Sequence, residues 1–281
     1  MRRHFWKRTT TAALSLALAF SAVVVGASSA QAATSGVNNW SCKATPGKDP
    51  VIMLHGLGAP SAINWFSKAP LIAADGFCVY TPTYGVNILP GFKSMRDSAA
   101  EVSGIVDKVL ASTGATKVNL VGHSQGTTVS AYYMKFLGGD TKVNRFAGFG
   151  SNFKGTSLYG VNKLVRAIPA ITPVLRAVCA SCDEYLPPNQ FLTDLNAGGV
   201  TVPGPKYMSI VSKYDEVVLP YTSGVLNEPG VTNVVLQDAC ALDLAGHITQ
   251  AVDPNVTRFV LWHLNGQQTK RPTCVPWLIP G

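Results

Sequence analysis

The sequence predicts an α/β fold, with a mostly parallel central sheet and helices on both faces. Three observations predict it. Short, largely apolar runs such as Val51-Ile52-Met53-Leu54 and Val118-Asn119-Leu120-Val121 have the character of strands buried on both faces. These runs alternate with helical patterns in the order β-α-β-α-β, which parallel crossovers produce. The second run ends in Gly122-His123-Ser124-Gln125-Gly126, and a small-residue helix signal follows at once. That is the strand, sharp turn and helix of a nucleophile elbow.

The fold begins after residue 32. Arg2, Arg3, Lys7 and Arg8 form a basic head, an apolar run extends from Ala12 to Val25, and Ala30-Gln31-Ala32 supplies an A-x-A cleavage site. The run is about 14 residues, short against the ~20 that a membrane span needs, so residues 1–32 are expected to be a signal peptide that is removed. Both the general secretory route and the twin-arginine route fit the segment, the latter through Arg2-Arg3-His4-Phe5-Trp6-Lys7. Residues 33–281 then form a single domain of a secreted protein. The whole chain carries a net charge of +8, with 23 Lys and Arg against 15 Asp and Glu. The leader holds basic residues and no acidic ones, so its removal halves the surplus. A mild surplus without a Lys/Arg cluster argues against nucleic-acid binding. No other apolar stretch is long enough for a stable membrane anchor.

Cys42, Cys78, Cys179, Cys182, Cys240 and Cys274 all follow the leader, and six cysteines in an exported chain read as disulfides. Six allow 15 pairings; chain order suggests Cys42–Cys78, Cys179–Cys182 and Cys240–Cys274. Cys179-Ala-Ser-Cys182 has the spacing of a redox pair or half a zinc site. A small disulfide ring fits it better, because neither a second CxxC nor a nearby His accompanies it.

The elements follow in order. Val51–Leu54 opens the sheet and ends in His55-Gly56-Leu57-Gly58, a loop at the strand's carboxyl end. A helix over 65–74 and a strand over 77–81 come next. Over 93–112, Met95, Ala99, Val102, Ile105, Val106, Val109 and Leu110 fall on one helical face, with Ser94 and Asp97 placed to cap it and Gly114 to stop it. The strand 117–121 enters the elbow, whose helix runs to Gly138-Gly139, and a strand over 143–149 follows. Residues 155–199 interrupt the rhythm. Leu158, Val161, Leu164, Val165, Ile168, Ile171, Val174, Leu175 and Val178 recur at helical spacing, broken by Pro169 and Pro173. Two arrangements stay open: a helix pair covering the sheet, or a small cap insert whose apolar side faces substrate. Strands over 206–212 and 231–237 resume the alternation, and a helix over 255–264 precedes a Pro-rich tail.

A serine hydroxyl is a poor nucleophile at neutral pH and needs a positioned base, which a carboxylate orients. In chains with this elbow the order is serine, acid, histidine. Two histidines follow Ser124. His263 falls among Phe259, Val260, Trp262 and Leu264 as a structural or surface helix residue, whereas His247 sits in a loop after the last strand and is the expected base. Asp215 directly follows the strand 206–212, at the carboxyl edge of the sheet, and is the expected acid. Glu216 is the neighbouring alternative; Asp238 and Asp243 stand too near His247 to come from a separate strand. His123 is expected to hydrogen-bond near the site. Two backbone N–H groups are needed for an oxyanion, and those of Gln125 and Leu57 are expected to supply them.

The segments VIMLHGLG (51–58), NLVGHSQGTT (119–128), SKYDEVVLPYTS (212–223) and DLAGH (243–247), with the spacing between them, resemble the class 2 triacylglycerol lipases. These are small secreted bacterial α/β-hydrolases, and the likeness is greatest to their actinomycete branch. The resemblance extends over nearly all of 33–281. It implies an α/β-hydrolase fold with a small or absent lid, and hydrolysis of acylglycerol esters through an acyl-enzyme on Ser124. Asp215, His247, Leu57 and Gln125 take the roles given above, and no organic cofactor is implied; no metal ligands are expected at the site, and a structural calcium ion on loop carboxylates stays open. The expected partner is a lipid or other ester met at an oil–water interface, and the expected state is a monomer. A short-chain carboxylesterase, a polyester hydrolase or an acyltransferase on the same triad is the alternative. A non-catalytic binding module would be expected to have lost a triad member, and a metal-dependent esterase to carry a His/Asp cluster at ligand spacing. Two departures bear on substrate preference: Gln follows the nucleophile where some relatives carry Met, and 155–199 is longer than in the smallest members.

Overall fold

The computed structural model describes residues 36–168 and 170–281; the expected signal peptide and the helix break expected at Pro169 lie outside them. Among the described residues, one sheet contains β1 (Val51–Leu54), β2 (Val79–Tyr80), β3 (Val118–His123), β4 (Val143–Phe149), β5 (Lys206–Val211) and β6 (Thr232–Val235). Their order is β2-β1-β3-β4-β5-β6, and every neighbouring pair is parallel. The chain first builds outward from β1 to β2, then returns past β1 to β3 and onward. The loops after β1 and β3 therefore leave the carboxyl edge side by side, where open α/β sheets place their ligands.

Strand side chains alternate between faces, and the core divides accordingly. Ile52, Leu54 and Leu120 join one buried layer, with Met95, Val102 and Val106 of α3 (Met95–Thr113) and Val129 of α4 (Gln125–Phe136). Val51, Met53 and Val121 join the other. That layer also takes Trp65 of α1 (Ser61–Trp65), Ile72 of α2 (Lys68–Ala74), and Val256, Phe259 and Val260 of α9 (Pro254–Leu264). Burial on both faces is the physical reason that β1 carries no polar residue. Helix α3 begins as its sequence requires: Ser94 Oγ accepts the Asp97 N–H at 3.1 Å. It ends at Gly114, whose φ of +75° lets its N–H reach the Leu110 carbonyl.

Some boundaries differ from expectation. The single helix expected over 65–74 is two, α1 and α2, separated at Phe66-Ser67. Pro70 explains the break, since in a continuous helix its ring would strike the carbonyl of Phe66, whereas in the first turn of α2 it is tolerated. Strand β6 stops at Val235, and residues 236–239 form a helical turn instead of extending the strand to 237. Helix α4 ends at Phe136, and β5 ends at Val211.

The 155–199 region divides between its two arrangements. Helices α5 (Val161–Ala167) and α6 (Ile171–Val178) bury none of their residues, so they do not cover the sheet. Pro173 lies in the first turn of α6, where no N–H is missed. Helices α7 (Ala180–Glu184) and α8 (Gln190–Asn196) follow; α8 buries Phe191, Leu192 and Leu195 in the first core layer. Buried Asp183 of α7 binds both Arg166 of α5 and Arg176 of α6, which fastens the two exposed helices to the base of the insert. The disulfides are Cys42–Cys78, Cys179–Cys182 and Cys240–Cys274, the pairs that chain order suggests.

Candidate active site

Ser124 sits between β3 and α4 with φ +52° and ψ −120°, a conformation rare for a residue with a side chain. Its neighbours have no room for one. A Cβ on Gly126 would lie 2.0 Å from the Leu54 carbonyl oxygen, and one on Gly122 would lie 2.7 Å from the backbone of Gly126 and Thr127. The Ser124 N–H donates to the Phe149 carbonyl at 3.0 Å, and its carbonyl accepts from the Thr127 N–H and hydroxyl. Strand, turn and helix are thereby locked with the hydroxyl aimed away from the sheet.

His247 Nε2 lies 2.8 Å from Ser124 Oγ, and His247 Nδ1 lies 2.9 Å from Asp215 Oδ2. The partners assign the tautomer: Nδ1–H donates to the carboxylate, which leaves Nε2 to accept the serine proton. Asp215 cannot rotate freely, because its other oxygen accepts the N–H groups of Val217 (3.0 Å) and Val218 (2.7 Å). Residues from the ends of β3, β5 and the loop after β6 are thus brought into one hydrogen-bonded chain. Of the other acids weighed, Glu216 accepts the backbone N–H of His247 at 2.7 Å and so fixes its loop. Asp238 pairs with Lys213 at the surface. Asp243 is buried and accepts from the Ala245 N–H and the Asn255 amide. His263 is buried on α9, where its Nε2–H donates to the Lys206 carbonyl.

The loop after β1 approaches Ser124 closely; a Cβ on Gly56 would sit 3.2 Å from the Ser124 Cβ. Gly56 N–H is taken by Asn64 Oδ1 and Gly58 N–H by the Pro90 carbonyl, while the Leu57 N–H between them meets no acceptor among the described residues. Gln125 opens α4, and the first N–H groups of a helix have no partner within it. Among the described residues, both expected oxyanion donors are therefore backbone amides without an acceptor, beside the nucleophile. His123 packs flat on Phe149, with ring centroids 4.8 Å apart, and faces two acceptors, Asn64 Oδ1 (3.0 Å) and the His247 carbonyl (3.1 Å). Burial, and secondarily the nearby His247, push His123 well below the usual histidine range. A neutral ring donates to one acceptor at a time. His55 is also lowered by burial, while its ring stacks on Tyr84.

A cavity of about 650 Å³ opens above Ser124 and His247. Its apolar wall includes Ile63, Phe66, Val161, Val165, Leu175 and Ile248, and among the described residues no Asp, Glu, Lys or Arg lines it. The exposed insert helices thus turn their inner faces toward the cavity. Three positions in this architecture had no local signal in the sequence. Asn64 joins the β1 loop to His123, Gln250 bridges the Gly150 N–H and the Gly246 carbonyl, and Ser212 Oγ reaches the Ala245 carbonyl. Each makes at least one contact far away in sequence, Asn64 to the His123 ring and Gln250 and Ser212 to backbone atoms, which residue type and spacing do not reveal. Among the described residues no group of three or more His, Cys, Asp or Glu could hold a metal ion.

Strand order, elbow and the Ser–His–Asp chain define an α/β-hydrolase. The model of the family Lipase (class 2) matches residues 48–259, and the chain belongs to that family. Triacylglycerol lipases of Pseudarthrobacter phenanthrenivorans and Burkholderia plantarii are each 38% identical over 91 residues, 30% of this chain. Those segments span 27% and 24% of the two relatives, so the chain matches only about a quarter of their length. Among solved structures, Aspergillus fumigatus lipase B superposes with a TM-score of 0.65 at 17% identity, covering 86% of this chain and 59% of the other. Carboxylesterase CesB from Bacillus subtilis gives 0.51 at 16%, covering 80% and 86%. At these identities the likeness is one of fold.

Proposed function

We propose that this protein is a secreted serine ester hydrolase, a lipase acting on acylglycerol esters. The observation that carries the reading is the hydrogen-bonded chain from Ser124 through His247 to Asp215, built on an elbow beside two free amides. Ser124 attacks the ester carbonyl while His247 Nε2 takes its proton, and Asp215 holds the imidazole and stabilises its cation. The amides of Leu57 and Gln125 receive the oxyanion; by mutational precedent one such donor is worth ~3 kcal/mol. His247 returns the proton to the departing alcohol, and water repeats the sequence on the acyl-enzyme. Every group in this cycle comes from one chain, so the cycle itself calls for no residue from a second copy.

The cavity supports a long acyl substrate over a short one. Its volume lies within the ~300–1,000 Å³ of small-molecule sites, and its apolar wall receives a hydrocarbon chain at a gain of about 0.8 kcal/mol per buried CH₂. We assign the insert 155–199 as a small cap within the single domain 33–281, with α5 and α6 forming one side of the acyl site. Three disulfides, and the leader pattern in the sequence, support export. Two measurements test the proposal. Ser124→Ala should lose at least about a thousandfold of ester hydrolysis while retaining its circular dichroism. Across p-nitrophenyl esters from acetate to palmitate, kcat/KM should rise beyond the short chains. Full activity in Ser124→Ala would remove the nucleophile, and a maximum at acetate would favour the carboxylesterase alternative.

A further inference from the structure

The Leu57 amide is held by a bracket that reaches into the insert. Residues 84–92 form a loop attached to the β1 loop at both ends. Tyr84 OH donates to the His55 carbonyl at 2.6 Å, and the Pro90 carbonyl accepts the Gly58 N–H at 2.9 Å. Between these fastenings Gly91 lies against Leu57: a Cβ at 91 would stand 3.5 Å from the Leu57 Cα. The Gly58–Pro90 bond couples the residue before Gly91 to the residue after Leu57, so the two loops are tied on either side of this approach.

Two side chains converge on the Gly91 carbonyl oxygen. Gln125 Nε2 donates to it at 2.7 Å, and Ser181 Oγ donates to it at 2.7 Å. Both residues are fully buried. A carbonyl oxygen has two lone pairs, so these two donors saturate it and fix it in two directions. Gly91 must be glycine, since its φ is +77° and a Cβ would meet Gln125 Oε1 at 2.1 Å. Ser181 lies within the ring closed by Cys179–Cys182, and the adjacent Ala180 N–H donates to the Phe92 carbonyl at 3.0 Å. One support thus comes from the residue after the nucleophile and the other from the root of the insert.

We propose that Ser181 and the side-chain amide of Gln125 are positioning residues for the Leu57 oxyanion donor, acting through the Gly91 carbonyl. The inference rests on the ester-hydrolase reading and adds a role to the insert: its disulfide ring carries one support of the oxyanion hole. Gln125 then serves twice, by its backbone amide at the oxyanion and by its side chain on the bracket. A methionine at 125 would keep the first role and lack the donor for the second.

An oxyanion donor acts in the transition state, so a misplaced Leu57 amide lowers kcat and leaves KM alone. The test compares Ser181→Ala, Gln125→Met and the double variant with the wild-type enzyme on a soluble medium-chain ester. Active sites are counted by end-point labelling with a fluorophosphonate, so misfolded protein does not enter the rates. Each single variant should lose about three- to tenfold in kcat, the factor that one lost hydrogen bond corresponds to, with KM unchanged. An alkylboronic acid, which forms a tetrahedral adduct on the serine, should weaken by the same factor. The double variant should lose more than either. Unchanged kcat per labelled site in the double variant would overturn the proposal, as would a rise in KM with kcat and boronate affinity intact. Should the wild-type enzyme neither hydrolyse esters nor label at Ser124, the hydrolase reading itself fails. An active wild type with an indifferent double variant sinks the positioning role alone.

Discussion

At residue scale, the site depends on how tightly each polar group is committed. Ser124 adopts a positive φ that costs on the order of 1–3 kcal/mol, sustained by Gly122, Gly126 and two backbone contacts. Asp215 accepts three N–H groups, one from His247 and two from its own loop. Asp215→Asn keeps the shape but turns the amide donor toward Nδ1, forcing the imidazole into the tautomer that cannot accept the serine proton. We expect kcat to fall by about 10³–10⁴ with KM little changed. Glu216→Gln, which retains an oxygen for the His247 N–H, should stay within about tenfold of wild type. Steady-state kinetics on one soluble ester separate the two, and equal losses would undo the assignment of Asp215 over Glu216. The residues of the Ser–His–Asp chain were legible because chemistry restricts them to strand ends in a set order. Asn64 and Gln250 were not, since each works through contacts 59 and 100 residues away that leave no periodic trace.

At the scale of elements, what was legible followed burial. β1, β3, α3 and α9 carry apolar patterns that only one arrangement satisfies, and each appears within a few residues of its expected place. The breaks were harder. Pro70 marks the α1–α2 division only once α1 is known to start at Ser61, and the turn at 236–239 contradicts an apolar run that suits a strand equally well. Helices α5 and α6 show the deepest ambiguity, because an apolar stripe has the same spacing whether it meets a core or a cavity. Helix α9 offers a test of its own. Burial lowers His263 from the usual histidine value to about 4, so the folded protein keeps the ring neutral where the unfolded chain, with a pKa near 6.5, binds a proton. Stability from this group is therefore full above about pH 6.5 and is lost as pH falls toward 4, by on the order of 3 kcal/mol. His263→Gln preserves an N–H for the Lys206 carbonyl without titrating. Urea midpoints measured from pH 7 to 4 should fall less steeply in the variant, and parallel slopes would show that His263 titrates freely.

For the whole molecule, the arrangement of apolar surface matters more than its amount. Folded proteins expose scattered apolar side chains, so an exposed leucine alone means little. Here Ile63, Phe66 and Ile248 are each about two-thirds exposed while lining the cavity that holds Ser124. Leu164 and Val174 of the insert helices are exposed to a similar extent. Apolar side chains exposed around an active-site mouth are the kind of surface that meets another apolar phase. Transfer of one such side chain out of water gains about 1.5–3 kcal/mol when complete, and half that when the chain only rests in an interface. Replacing two with aspartate removes the gain and adds the cost of bringing charge to an apolar phase. The exposed insert positions suit this substitution, since neither Leu164 nor Val174 contributes to the core. Leu164→Asp/Val174→Asp should therefore fold as wild type and hydrolyse a dissolved short ester within about twofold of it. On a triglyceride emulsion the rate at limiting enzyme should fall at least about tenfold, with unbound protein recovered in the aqueous phase. Equal loss on both substrates would place these residues in the acyl site instead of on its rim. An unchanged emulsion rate would mean that the mouth of the cavity does not rest on the lipid.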